Sequence, residues 1–164
     1  MRVTHTFEPV YDEKSKILIL GTFPSVKSRE NAFYYGHPQN RFWKTLAAVT
    51  GEMEPSTIEE KKAMLLKHYI AVWDVISACD IEGSSDSSIK NVTVNDIAGL
   101  LQGSSIETIY GNGDKACRLY DKFCKGKTKK EIIKLPSTSP ANAAYSMERL
   151  IECWKIMKKD GICG

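Results

Sequence analysis

Two carboxamides, six hydroxyls and three aromatic rings are the side chains in this sequence whose types and places suggest chemistry. The amides are Asn40 and Asn112, the hydroxyls Ser25, Ser84, Ser85, Ser137, Thr138 and Ser139, and the rings Phe23, Tyr34 and Tyr35. Most stand in loops that follow short apolar runs. Hydroxyls and backbone N–H groups are the usual partners of nucleic-acid phosphates. Aromatic faces beside amides are the usual way to hold a base outside its stack and read its edge. Other chemistries lack their parts. The loop Gly21-Thr22-Phe23-Pro24-Ser25 is neither GxGxxG nor a P-loop, and there is no GxSxG elbow. No pair of glycosidase carboxylates stands at the ends of the apolar runs, and no nucleophile with its base is in place for a small-molecule hydrolase.

The elements that must position these groups follow from patterning. Ile17-Leu18-Ile19-Leu20 is β-branched, wholly apolar and closed by Gly21, which predicts a strand over 16–21 buried on both faces. Ile70 to Val75, Ile106 to Tyr110 and Glu131 to Leu135 are three more strand candidates. Helices are expected from Asn40 or Arg41 to Thr50, closed by Gly51, and from a capping box at Ser56-Thr57-Ile58-Glu59 to about His68. Others are expected from an Asn95 cap through Leu101, over 114–125 with Gly126 as its stop, and over a last segment carrying Met147, Leu150, Ile151, Trp154 and Met157. Residues 1–15 should lie over the sheet edge, and Asp80 to Lys90, rich in Gly, Ser and Asp, should be loop. Strands alternating with helices predict one α/β domain over 1–164, a three-layer α/β/α fold on a four-stranded parallel sheet. Right-handed crossovers then put every strand-end loop on one rim, where open α/β sheets bind ligands.

Composition bounds the partners. With 164 residues, 42% hydrophobic and 26% charged, the chain suits a single soluble domain. A net charge of +3 permits nucleic acid without demanding it. The five cysteines form no CxxC or Cys/His pattern, so no zinc or iron–sulfur site is expected, and most of the thiols should be reduced, small apolar residues. No apolar run is long enough to span a membrane, and the amino terminus lacks a signal-peptide core, so a cytoplasmic location is expected.

Several residues have plainer readings. Asn40 also suits a helix cap, Asn112 in Gly111-Asn112-Gly113 suits a turn as well as a base contact, and Ser137 to Pro140 suits a cap for the last helix. Only one of Tyr34 and Tyr35 is expected to stack on a base. His37 is expected to be structural, and Lys125 to Lys130 a solvated turn.

Three motifs in order, Gly21-Thr22-Phe23-Pro24-Ser25, His37-Pro38-Gln39-Asn40-Arg41-Phe42-Trp43 and Leu135-Pro136-Ser137-Thr138-Ser139-Pro140, resemble those of the uracil-DNA glycosylase superfamily, closest to its hypoxanthine (deoxyinosine) branch. Trp73-Asp74-Val75, Gly83-Ser84 and Asn112-Gly113 fall in the same order, so the resemblance spans about 17–157. It implies a monofunctional, monomeric glycosylase of DNA base excision repair. Such an enzyme flips a deaminated base out of DNA and hydrolyses the N-glycosidic bond with no metal or organic cofactor. Many members carry Asp or Asn where Phe23 stands, and uracil-specific members carry His or Asn where Leu135 stands. Both departures turn the expectation from uracil toward hypoxanthine, since the departing uracil anion would lose a stabiliser. By the same resemblance Asn40 is the catalytic residue, its carbonyl holding water and its NH₂ a purine edge. Gly21, Phe23, Pro24, Tyr34 or Tyr35 and Asn112 then hold the base, while Ser25, Ser84, Ser85, Ser137, Thr138 and Ser139 contact the DNA strand. Xanthine or uracil as substrate, or a silent nucleic-acid-binding module, are the alternatives.

Overall fold

The run at Ile17 is the middle of the molecule. After a short strand β1 (Arg2–Thr4) it forms β2 (Ile17–Gly21), buried along its whole length. The structure, a computed structural model, describes residues 2–4, 7–24, 28, 33–82 and 88–162. Strand β2 pairs in parallel with β3 (Ile70–Asp74) on one side and β6 (Thr108–Asn112) on the other, and β7 (Ile132–Leu135) extends the sheet beyond β6. The order β3-β2-β6-β7 makes a four-stranded parallel sheet, as the patterning predicts.

Alternation along β2 divides the core in two. Ile17 and Ile19 face a cluster closed by helices α1 (Phe42–Thr50), α2 (Ile58–Lys67) and, near the carboxyl end, α6 (Met147–Trp154). Leu18 and Leu20 face the other cluster, closed by α3 (Ile97–Gln102) and α4 (Asp114–Phe123), between which and α6 lies the single turn α5 (Lys125–Thr128). The result is a three-layer α/β/α fold. Each of the four β2 side chains from Ile17 to Leu20 is fully buried, a stabilisation of about 1.5–3 kcal/mol apiece. After α6 a 3₁₀ segment, Lys155–Asp160, ties back to β6: the Thr108 and Tyr110 hydroxyls donate to the Asp160 carboxylate.

Several expectations shift in register. Val10 bridges Val72 on the sheet edge, as expected of the amino-terminal segment, but β1 pairs elsewhere. It joins β4 (Ile76–Asp80) and β5 (Lys90–Val94) in a small antiparallel sheet that patterning did not predict. Strand β5 is mostly exposed and alternates only weakly, so pairing with β4 rather than propensity makes it a strand. Strand β6 starts two residues later than expected and carries Asn112 at its end. Asp96, not Asn95, caps α3, because the Asn95 amide donates to the Asp74 carbonyl and fixes the end of β3. Gly126 does not stop α4; the chain turns again through α5 and reverses at Lys129, which takes the left-handed conformation. Gly51 does close α1 in that conformation. Cys79, Cys117 and Cys124 are buried thiols, and burial pushes the latter two up to about 11.

The capping box of α2 is displaced by one residue from the expected Ser56–Glu59. Thr57 Oγ1 accepts from the Glu60 N–H, and the Glu60 carboxylate accepts from the Thr57 N–H. Ser56 only adds its own hydroxyl and N–H to that carboxylate. Thr57→Ala is therefore expected to lower the unfolding free energy by about 1 kcal/mol, with Ser56→Ala costing markedly less. Urea denaturation of the two variants checks this, and equal losses would place the cap at Ser56.

Candidate functional site

Parallel pairing puts the carboxyl ends of β2, β3, β6 and β7 on one rim, and three separate loops meet there through one buried hydroxyl. Thr138 follows β7 and has no solvent exposure. Its Oγ1 donates to Asn40 Oδ1 at 2.8 Å and accepts from Asn112 Nδ2 at 3.0 Å. Its backbone N–H donates to Asn112 Oδ1 at 3.0 Å, and its carbonyl accepts from the Arg41 N–H at 3.0 Å. Asn40 in turn accepts from the Phe42 N–H at 2.9 Å, capping α1 from just ahead of it. The Asn40 side-chain oxygen therefore takes two hydrogen bonds. Gly113, at φ 97°, permits the sharp turn from β6 into α4 and brings its Cα close to Ser137, where an added Cβ would sit 3.2 Å from that residue's Cβ.

The segment after β7 is held rigid from outside the strand. The Arg41 guanidinium donates to the carbonyls of Ser139, Asn142 and Tyr145, and Asn142 Nδ2 donates to the Ser137 carbonyl. Ser137 and Ser139 accept local N–H bonds from Ser139 and Ala141, which leaves each hydroxyl hydrogen to donate outward. The charge of Arg41 meets carbonyl oxygens, and among the described residues no carboxylate pairs with it.

A second corner lies at the tips of β2 and β3. Gly21 is in register with Asp74. A Cβ added to Gly21 would lie 2.4 Å from Asp74 Oδ1 and 2.8 Å from the Tyr35 hydroxyl, so the glycine makes room for both groups. Tyr35, at φ 52°, stacks on Phe42 with centroids 3.8 Å apart. Its hydroxyl is shielded from water and lacks a well-aligned hydrogen bond, although the Asn112 side chain faces it closely enough to counter part of its shift. Burial, then the charge of Asp74, raises the pKa of this phenol, so it stays protonated as a donor.

A family model described as the uracil DNA glycosylase superfamily matches residues 8–158. The chain belongs to that superfamily. A hypoxanthine DNA glycosylase of Methanosarcina acetivorans is 39% identical over 145 residues, which are 87% of this chain and 90% of that protein. A second protein of that name, from Methanosarcina barkeri, is 35% identical over 112 residues, 67% of this chain and 71% of its own. A solution NMR structure from Methanosarcina acetivorans, described as a candidate uracil DNA glycosylase, superposes with a TM-score of 0.83 at 35% identity, covering 98% of this chain and 99% of that one.

Within this superfamily fold the predicted site residues divide. Asn40, Asn112, Ser137, Thr138 and Ser139 come together, and Gly21 and Tyr35 form the adjoining corner. Phe23 is half-buried against the β2 face that carries Leu18 and Leu20, and Pro24 is buried. Tyr34 lies in the core, the alternative its pattern also allowed: it is almost fully buried, its hydroxyl donates to the Glu8 carbonyl, and its ring packs edge-on to Phe7 and Phe33. Thr138 is an internal link with no solvent exposure. The capping alternative for Ser137 to Pro140 fails, because Ser146 caps α6. Asn112 ends β6 and has both ends of its amide on Thr138, a link between two loops rather than a local turn contact. Ser25, Ser84 and Ser85 lie outside the described residues. Patterning missed Arg41 and Asp74. The signal for Asp74 was a charged residue closing an otherwise apolar strand, and for Arg41 a cation directly after the candidate amide.

Replacing Thr138 by Val removes the hydroxyl and leaves two amides without their partner. The loss of stability should be about 1–3 kcal/mol, with excision falling in parallel, whereas Thr138→Ser should keep most of both. Urea midpoints and single-turnover excision of the three proteins measure this; a stable, active Val variant would remove the link from the site.

Proposed function

We propose that this protein excises a deaminated purine, hypoxanthine first, from DNA by hydrolysing its N-glycosidic bond. The observation that carries the reading is the Asn40 carboxamide at the start of α1, fixed to the far strand tip through Thr138. The names of the two relatives from Methanosarcina species support the choice of base. Leu135, almost fully buried, offers the leaving base no donor, and Phe23 offers water no acceptor. With neither an acid at position 23 nor an imidazole at position 135, the rim suits a base that departs with its charge spread over two rings.

In this reading the nucleotide is flipped onto the rim with its base between the Tyr35 corner and the Asn40 amide. The Asn40 NH₂ donates to the base as negative charge develops on it, aided by the amino-terminal end of α1. Rotation of the Thr138 hydroxyl frees a lone pair on Asn40 Oδ1 for the attacking water. The C1′–N9 bond breaks with its electron pair on the purine, the water oxygen joins C1′, and one water proton is released. Ser137 and Ser139 donate to phosphate oxygens. The Asp74 carboxylate accepts the N1–H of hypoxanthine; adenine carries a lone pair at that atom and is repelled.

A panel of duplexes carrying inosine, uracil, xanthine or adenine, cleaved by alkali after incubation, tests this. Inosine should be cut fastest, and Asn40→Ala should lose about 10²–10³-fold or more in single-turnover rate while folding normally. Near-normal excision by that variant would sink the role of Asn40. Asp74→Asn should slow inosine excision about 10–100-fold, corresponding to one misread base edge. A protein that binds every duplex and releases no base would instead be a silent DNA-binding module.

A further inference from the structure

Beside the strand-tip network lies a cavity of about 360 Å³ that shares Asn40 and Tyr35 with it and is otherwise walled by His37, Trp43, Glu54 and Lys61. Lys61 stands in the first turn of α2 with its ammonium 5.3 Å from the centre of the Trp43 ring. Burial lowers its pKa, and the charge of Glu54, on the same cavity wall, partly offsets this. Lys67, Lys125 and Lys155 are paired with Glu52, Glu131 and Glu152, but among the described residues Lys61 has no such ion pair. A part-desolvated cation on a cavity wall gains from an anion brought within hydrogen-bond reach of it. The cavity opens beside the amide assigned to C1′, and the sugar that carries C1′ also carries the two phosphates flanking the nucleotide. A phosphate site must therefore adjoin such an amide.

We propose that this cavity receives a backbone phosphate of the damaged strand next to the flipped nucleotide, with the Lys61 ammonium as its counter-charge. The site rests on the placement of the target sugar at Asn40. It lies on the α2 side of Asn40, away from the Ser137–Ser139 turn, so the strand is gripped on both sides of the reacting sugar. Phosphate contacts orient the strand and carry no sequence information.

Fluorescence anisotropy over a salt series tests the site, with one duplex bearing a tetrahydrofuran abasic analogue and one undamaged. The proteins are wild type, Lys61→Met, which keeps the apolar stem on Trp43, and Lys61→Arg. The Met variant should flatten the plot of log affinity against log salt by about 0.9, one released counterion, on the abasic duplex, with less change on the undamaged one, where no sugar is held at Asn40. The Arg variant should keep the wild-type slope, which excludes a folding defect as the cause. An unchanged slope of the Met variant on the abasic duplex overturns the phosphate site, and so does an equal change on both duplexes, which would make Lys61 a general backbone contact away from the flipped nucleotide. Failure of wild type to release any base refutes the glycosylase reading and is scored separately from the slope.

Discussion

One hydroxyl, fully buried, determines whether this rim is a site or only a set of loops. Thr138 accepts from Asn112 and donates to Asn40, so the end of β6, the segment after β7 and the entry to α1 share one hydrogen-bonded unit. Residues separated by 98 and 26 positions along the chain are thereby fixed to within hydrogen-bond length. Such a network is strong inside a protein because low local polarity strengthens each bond, and it is fragile for the same reason: any member removed leaves the others unsatisfied. The parallel sheet supplies the frame. Its split core, Ile17 and Ile19 against three helices and Leu18 and Leu20 against two, holds the strand tips level so that one hydroxyl can reach both amides.

Electrostatic design follows from that unit. The groups joined through Thr138 are amides, hydroxyls and backbone ends, beside one guanidinium whose charge, among the described residues, is met by carbonyl oxygens. Each makes its hydrogen bonds without needing to change protonation. The acidic group, Asp74, is set back at the β3 tip against Gly21 and close to a phenol kept protonated by burial and by Asp74 itself.

The sheet was legible in sequence because its strands are continuous apolar runs closed by Gly, Asp or Pro, signals that depend on burial alone. The antiparallel β1-β4-β5 sheet was not, since Lys90 to Val94 is half-exposed and gains its strand character from partners distant in sequence. At the site, types and loop placement marked Asn40, Asn112 and Ser137 to Ser139. Patterning could not say which hydroxyl faces inward, because Ser137, Thr138 and Ser139 differ in direction and hardly in chemistry. Nor could it separate adjacent tyrosines: Tyr34 turns into the core while Tyr35, one residue on, reverses the chain direction with a positive φ and turns to the rim.

That reversal at Tyr35 explains why the corner is built as it is. A bulky residue in the left-handed region is unfavourable by roughly 1–2 kcal/mol, and it persists only where its surroundings over-determine it. Here the Phe42 stack holds the ring, and Gly21 leaves the space the hydroxyl occupies. The hydroxyl itself lacks a well-aligned bond, a further unfavourable term that a purely structural tyrosine would shed by substitution to Phe. Strain and an unsatisfied donor thus meet at one residue, packed between the carboxylate of Asp74 and the amide of Asn112, where the tips of β2, β3 and β6 come together.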